Sequence, residues 1–199
     1  MNVLTEALPS TVEIGGRKYP INTDFRAGIA FEKLIASKEN NAFKLLEPYF
    51  SKDIPEDVLG AFQAIEKFFC CGTVPAKKDK PTKDKIAYSF DVDSEAIFAD
   101  FWQYYNIDLS QEGLHWWVFR ALLFGLPEES SFKQRVYYRT CDTKGLSKRE
   151  KERIVKIRKM YEIKDEYKEE ITLEERDAQM LKYLEKRRNE IKQGGEVNG

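Results

Sequence analysis

The chain has 199 residues with 33 basic and 34 acidic side chains, a net charge of −1. A length of roughly 100 to 200 residues is that of one domain, and so even a balance of charge gives the molecule as a whole no electrostatic reason to seek nucleic acid or an anionic membrane. Three cysteines, two of them adjacent at Cys70 and Cys71, exclude a disulfide framework and read as reduced thiols, the N-terminal stretch lacks the basic start and apolar core of a signal peptide, and no apolar run reaches the roughly 20 residues that span a bilayer.

The first element is a β-hairpin. Val12 to Ile14 and Arg17 to Tyr19 alternate apolar and polar residues around Gly15 and Gly16, a pair that supplies positive φ, and Pro20 ends the pairing. Thr23 or Asp24 then caps a helix with Phe25, Ile29, Leu34 and Ile35 near helical spacing. Asn40 or Asn41 opens a second helix carrying Phe43, Leu46 and Phe50. A third has Pro55 in its first turn and a stripe of Val58, Ala61, Phe62, Ile65 and Phe69 up to Gly72. Residues 73–85, with two prolines, five lysines and only Val74 as a large apolar group, cannot offset their own ordering entropy by burial and read as a mobile, solvated loop.

Helical spacing resumes at Ile97, Phe98, Phe101 and Tyr105 after Asp93 or Ser94, and Asn106 ends it because asparagine tolerates the left-handed conformation. Asp108 with Gln111 predicts a capping box for a helix over 113–124, which Gly125 and Pro127 stop, and 131–139 is a further short helix. At 100° per residue, Leu114, Trp117, Val118, Ala121 and Leu122 share one face of the central helix. Trp116, Phe119 and Leu123 share the other, leaving only His115 and Arg120 to meet water. A helix apolar all round has to be covered all round. The first face, with Phe101 and Tyr105 of the preceding helix, is the expected core. The second is either buried as well or a partner-binding face made of Trp116, Phe119, Arg120 and Leu123, with tryptophan and arginine as anchors.

The string IDLSQEGLHWW, with Asp91, Asp93, Ile97, Phe101 and Tyr105 before it and Phe119, Leu122, Gly125, Leu126 and Arg139 after it, resembles the bacteriophage gene-product-fifteen family. The looser similarity runs from Val12 to about Tyr161, with Asn106 in place of an expected glycine and Val118 in place of an expected lysine. Proteins of that family are encoded among tail-morphogenesis genes near the tape-measure gene, so the resemblance implies a place in tail assembly.

After Asp142 the composition shifts. Ser147 and Glu150 form a capping box on a basic helix running to Met160, whose aliphatic residues are Ile154, Val155 and Ile157. Residues 144–159 hold eight basic and two acidic side chains, 162–177 reverse this with eight acidic against three basic, and 182–192 turn basic again. Thr172 and Glu175 box a last helix with Leu173, Met180, Leu181 and Leu184 as a thin stripe. A narrow stripe cannot stabilise a long charged helix by burial alone, so this arm folds back or awaits a partner. The expected organisation is a mainly α chain: a helical domain over 1–142 with its N-terminal hairpin, a charged helical arm over 143–193, and a disordered tail over 194–199.

No catalytic, metal or cofactor site is expected. His115 is the only histidine and sits beside Trp116, which favours a structural role. The adjacent cysteines are poorly spaced for chelation, and Gly15 and Gly16 lack the context of a phosphate loop. Asp91 and Asp93 suit a turn and a cap better than an acid and base pair. The expected function is therefore a non-enzymatic tail-assembly factor, a chaperone for the tape-measure or another tail protein in the host cytoplasm, with self-association as a further property. The expected partner contacts are Trp116, Phe119, Arg120 and Leu123 together with Arg149, Arg153 and Lys156. The alternatives are a minor structural component of the tail or connector, and, disfavoured by the alternating acidic blocks, a nucleic-acid-binding accessory protein using the cations of 148–159.

Overall fold

A computed structural model of the chain describes residues 3–72, save 38, 40 and 52, and residues 87–163. The loop expected at 73–85, the helix expected after Thr172 and the tail expected at 194–199 lie outside the described residues. Within them are strands β1 (Thr11–Ile14) and β2 (Arg17–Pro20) and helices α1 (Phe25–Ala36), α2 (Ala42–Phe50), α3 (Val58–Phe69), α4 (Ser94–Tyr105), α5 (Trp116–Gly125), α6 (Ser131–Thr140) and α7 (Lys148–Met160). The chain is mainly helical with an N-terminal hairpin. It divides into two compact units whose described parts are 3–72 with 113–120, and 87–112 with 121–163.

In the first unit β1 and β2 pair antiparallel from Thr11 opposite Pro20 to Ile14 opposite Arg17. Gly15 (φ 56°) and Gly16 (φ 77°) make the two-residue turn whose twist matches that of the strands. The period of two turns Val12 and Ile14 inward and Glu13 outward, and β1 packs on α3. Asp24 caps α1 by accepting from Arg26 N at 2.8 Å, Asn41 caps α2 by accepting from Phe43 N at 2.9 Å, and Asp57 caps α3 by accepting from Gly60 N at 2.8 Å. The cap at Asp57 moves the start of α3 past Pro55, which precedes the helix instead of standing in its first turn. In α1 the expected stripe is also displaced. Phe25 is buried, but Ile29, Leu34 and Ile35 are only half-buried, and Ala27, Gly28, Phe31 and Glu32 face inward. Small residues let a neighbour approach closely, and that closeness selects this face of α1.

The second unit contains α4, the later turns of α5, α6 and α7, with α4 packed on α6 and α6 on α7. Asn106 ends α4 in the left-handed conformation (φ 55°), as its position predicts. Ser130 Oγ accepts from Lys133 N at 3.3 Å to cap α6. The box on α7 forms in full, Ser147 Oγ accepting from Glu150 N while Glu150 accepts from Ser147 N.

Two expectations fail here. Asp108 does not cap α5, which begins at Trp116 and not at Gly113; its carboxylate closes a tight turn by accepting from Ser110 N at 2.8 Å. In the first unit, residues 113–115 instead run extended beside 23–25: Phe25 N donates to Leu114 O at 2.8 Å and Trp116 N to Thr23 O at 2.7 Å. Backbone groups engaged across this pair are not available for a helical turn. The division at 142 is the second correction, because α7 belongs to the second unit. Arg158 donates to Tyr138 O and Cys141 O, both at 2.8 Å, and Ile163 is buried.

Candidate functional site

The residues that make the sequence distinctive gather at two places, one in each unit. In the first unit they meet the C-terminal end of α3, where the last carbonyls of a helix have no partner within it. Phe69 O accepts from the indole Nε1 of Trp116 and from Nη1 of Arg120, both at 2.9 Å, and Phe68 O accepts from Nε1 of Trp117 at 2.7 Å. Trp116 and Arg120 stand four residues apart on α5 and so share a face. Trp117, one residue on, reaches the adjacent carbonyl. The arrangement satisfies two buried acceptors and sets a cation at the negative end of the α3 dipole.

Aromatic stacking extends this contact. The Trp116 ring stacks on Phe69 at 5.0 Å and on Phe119 at 6.0 Å, and Phe119 stacks on Phe25 at 4.6 Å. A Cβ on Gly28 would overlap the Trp116 ring, so glycine is what lets α1 lie against it. Trp117 N donates to His115 Nδ1 at 3.1 Å, which places the ring proton on Nε2, within 3.0 Å of Pro9 O. His115 is thereby a structural bridge. Tyr49, deep in the same unit, has its phenol pushed well above its ordinary value, first by burial and then by Glu32, so it is held neutral.

In the second unit the centre is Asp93, fully buried at the start of α4. It makes no cap bond to α4, contrary to the reading from sequence. Its oxygens accept from Nη1 and Nη2 of Arg139 at 2.6 and 2.8 Å, from Arg135 Nη1 at 3.3 Å and from Ser89 N at 3.1 Å. Arg139 further donates to Ala87 O at 3.2 Å and to Tyr161 O at 2.6 Å. One bidentate pair thus ties together the chain before α4, helix α6 and the chain after α7, with its other polar atoms matched as a buried ion pair requires. Farther along α4, buried Asp100 accepts from Ser131 N at 3.0 Å and Phe132 N at 2.7 Å, setting a carboxylate on the positive end of α6. Tyr105 Oη donates to Leu122 O at 2.8 Å.

The Trp116, Phe119 and Leu123 face of α5 is buried, the first of its two expected alternatives, while the face expected as core is only partly covered. Trp116, Phe119 and Leu123 are 1%, 1% and 0% exposed, whereas Ala121 is exposed and Leu114, Val118 and Leu122 are only half-buried. Trp117 and Phe101 are buried as expected, and Tyr105 is half-buried. Trp116 and Phe119 are buried in the first unit and Leu123 in the second, and the Arg120 guanidinium is turned onto Phe69 O. Of the expected partner contacts, Arg149, Arg153 and Lys156 stand exposed on α7.

One surface feature, on α4, was not read from the sequence. Phe98 and Trp102, one turn apart on α4, are 40% and 52% exposed, so Phe98 lies outside the stripe assigned to it. On α7 the inward residues are Ile154, Ile157 and Arg158, leaving Lys148, Arg149, Lys151, Arg153, Lys156 and Lys159 exposed. Among the described residues there is no grouping of three His, Cys, Asp or Glu side chains suited to a metal ion, and no helix is long and apolar enough to cross a membrane.

The fold is that of a mainly helical chain with an N-terminal hairpin, in which Trp116, Trp117 and Arg120 close the C-terminal end of α3. The chain matches the family described as Bacteriophage Gp15 protein over residues 4–163, most of its length, and it belongs to that family. It is a phage-related protein. No curated protein and no solved structure matches it.

Proposed function

We propose that this chain is a non-enzymatic assembly factor of the phage tail, which binds a helical tail protein, the tape-measure protein in the first place, in the host cytoplasm. Family membership supports the tail context. The observation that carries a binding role is Trp102, half exposed on α4 with Phe98 one turn away, since large aromatics on a rigid helix are favoured anchors of protein interfaces. Trp116 and Phe119, the aromatic residues expected in that role from the sequence, are buried.

Co-expression of the tagged chain with the tape-measure protein of the same phage tests the reading. The expected result is a co-purifying complex, with the chain absent from purified particles by mass spectrometry. Stoichiometric retention in particles would replace the assembly factor with a structural tail component. Failure to co-purify with any tail protein would remove the proposal.

A further inference from the structure

We propose that the outward face of α7 is a docking surface for the acidic stretch that follows it in the same chain, residues 164–177. The inference stands independently of which tail protein the chain serves. The six cations named above project from three and a half turns of helix, and none of them is ion-paired among the described residues. The seventh, Arg158, is turned inward onto Tyr138 O and Cys141 O. A concentration of like charge on one short helix repels itself and is relieved by a counter-charge.

The complementary charge lies next in the sequence. Residues 164–177 carry seven acidic and three basic side chains. Their attachment point is fixed, because Tyr161 O is held by Arg139 at 2.6 Å and Ile163 is buried. The acidic stretch therefore starts within a few residues of the C-terminal end of α7. A short tether of this kind holds its segment at an effective concentration on the order of millimolar, which a free polyanion would have to exceed.

The composition of the face favours a peptide over a phosphate backbone. At 100° per residue Glu152 falls near the middle of the outward arc, flanked by Lys148 and Lys156, and Val155 is exposed beside it. Phosphates would meet the Glu152 carboxylate. A peptide of mixed charge can set Lys168 or Arg176 against Glu152, and Ile171 or Leu173 against Val155. Exposed ion pairs are individually weak and screened by salt, so the docked state depends on several acting together.

Zero-length carbodiimide cross-linking of the full chain, with the linked peptides identified by mass spectrometry, tests this. The expected links join Lys148, Lys151, Lys156 or Lys159 to carboxylates of 164–177 within one chain. Their yield should fall several-fold when the Debye length contracts from about 10 Å in 0.1 M salt to about 3 Å in 1 M salt. Lys156→Glu with Lys159→Glu should abolish the remaining links and leave the circular dichroism spectrum unchanged, because both side chains are exposed. Adding Glu169→Lys and Glu170→Lys should restore salt-sensitive links of reversed polarity. Links found only between isotopically distinct copies in a mixed sample would overturn the proposal in favour of a dimer contact. Tight binding of a short DNA duplex by the full chain at physiological salt, with no internal links, would assign the cations to phosphates instead.

Discussion

At the scale of single residues, Gly28 and Arg139 show how much depends on one side chain. Gly28 is not at a turn; it is a helical position where a methyl group would enter the Trp116 ring. Gly28→Ala would ordinarily favour a helix, but here overpacking should dominate and cost about 1–3 kcal/mol, read as a lower midpoint in urea denaturation. The opposite sign would mean that Trp116 can move aside. Arg139→Ala leaves Asp93 buried without its principal counter-charge, and losing one partner of such a pair costs about 3–5 kcal/mol. A double variant, Asp93→Leu with Arg139→Met, should be less damaging than the sum of the two single changes. Additivity in that cycle would show that the pair is not coupled.

Helix ends dominate at the scale of elements. Asp24, Asn41, Asp57, Ser130 and Ser147 each cap the helix that follows, while α3 and α6 also receive caps from elsewhere in their own units. The Glu150 carboxyl, hydrogen-bonded first by the Ser147 hydroxyl and then by its backbone N–H, is held below its ordinary value. A depressed folded-state value means the contribution is present above the ordinary carboxylate range and is lost as pH falls through the folded value. Ser147→Ala should remove about 1 kcal/mol from the first turn of α7 near neutral pH. Amide hydrogen exchange in that turn should rise in the variant, and the difference from the parent chain should narrow in acid. An unchanged difference at low pH would show that Glu150 has no part in the cap.

For the whole molecule, folding and partner binding should separate by residue. Trp116→Ala truncates a fully buried ring and loses its bond to Phe69 O, so it should cost about 3–5 kcal/mol and be visible in thermal denaturation. Trp102→Ala should leave the melting temperature nearly unchanged. If α4 carries the client interface, that variant should weaken co-purification by about thirtyfold or more, the equivalent of a loss of 2 kcal/mol typical of a hot spot. Undiminished client binding by Trp102→Ala would move recognition away from α4.

The local sequence determined the hairpin, the position of all seven described helices to within a few residues, and the N-terminal caps of α1, α2 and α7. Such features depend on partners no more than about four residues away, as with Asn41 and Phe43 or Ser147 and Glu150. The family was legible too, in the string around Trp116 and Trp117. Only the tertiary structure decided what those residues do. Asp93 meets Arg139 across 46 residues and Trp117 meets Phe68 O across 49, separations no periodicity encodes. Helix α5 is apolar all round, so hydrophobic spacing alone could not choose its inner face. In the first unit the choice fell to the end carbonyls of α3 and the open side of Gly28, which together accept the face of Trp116.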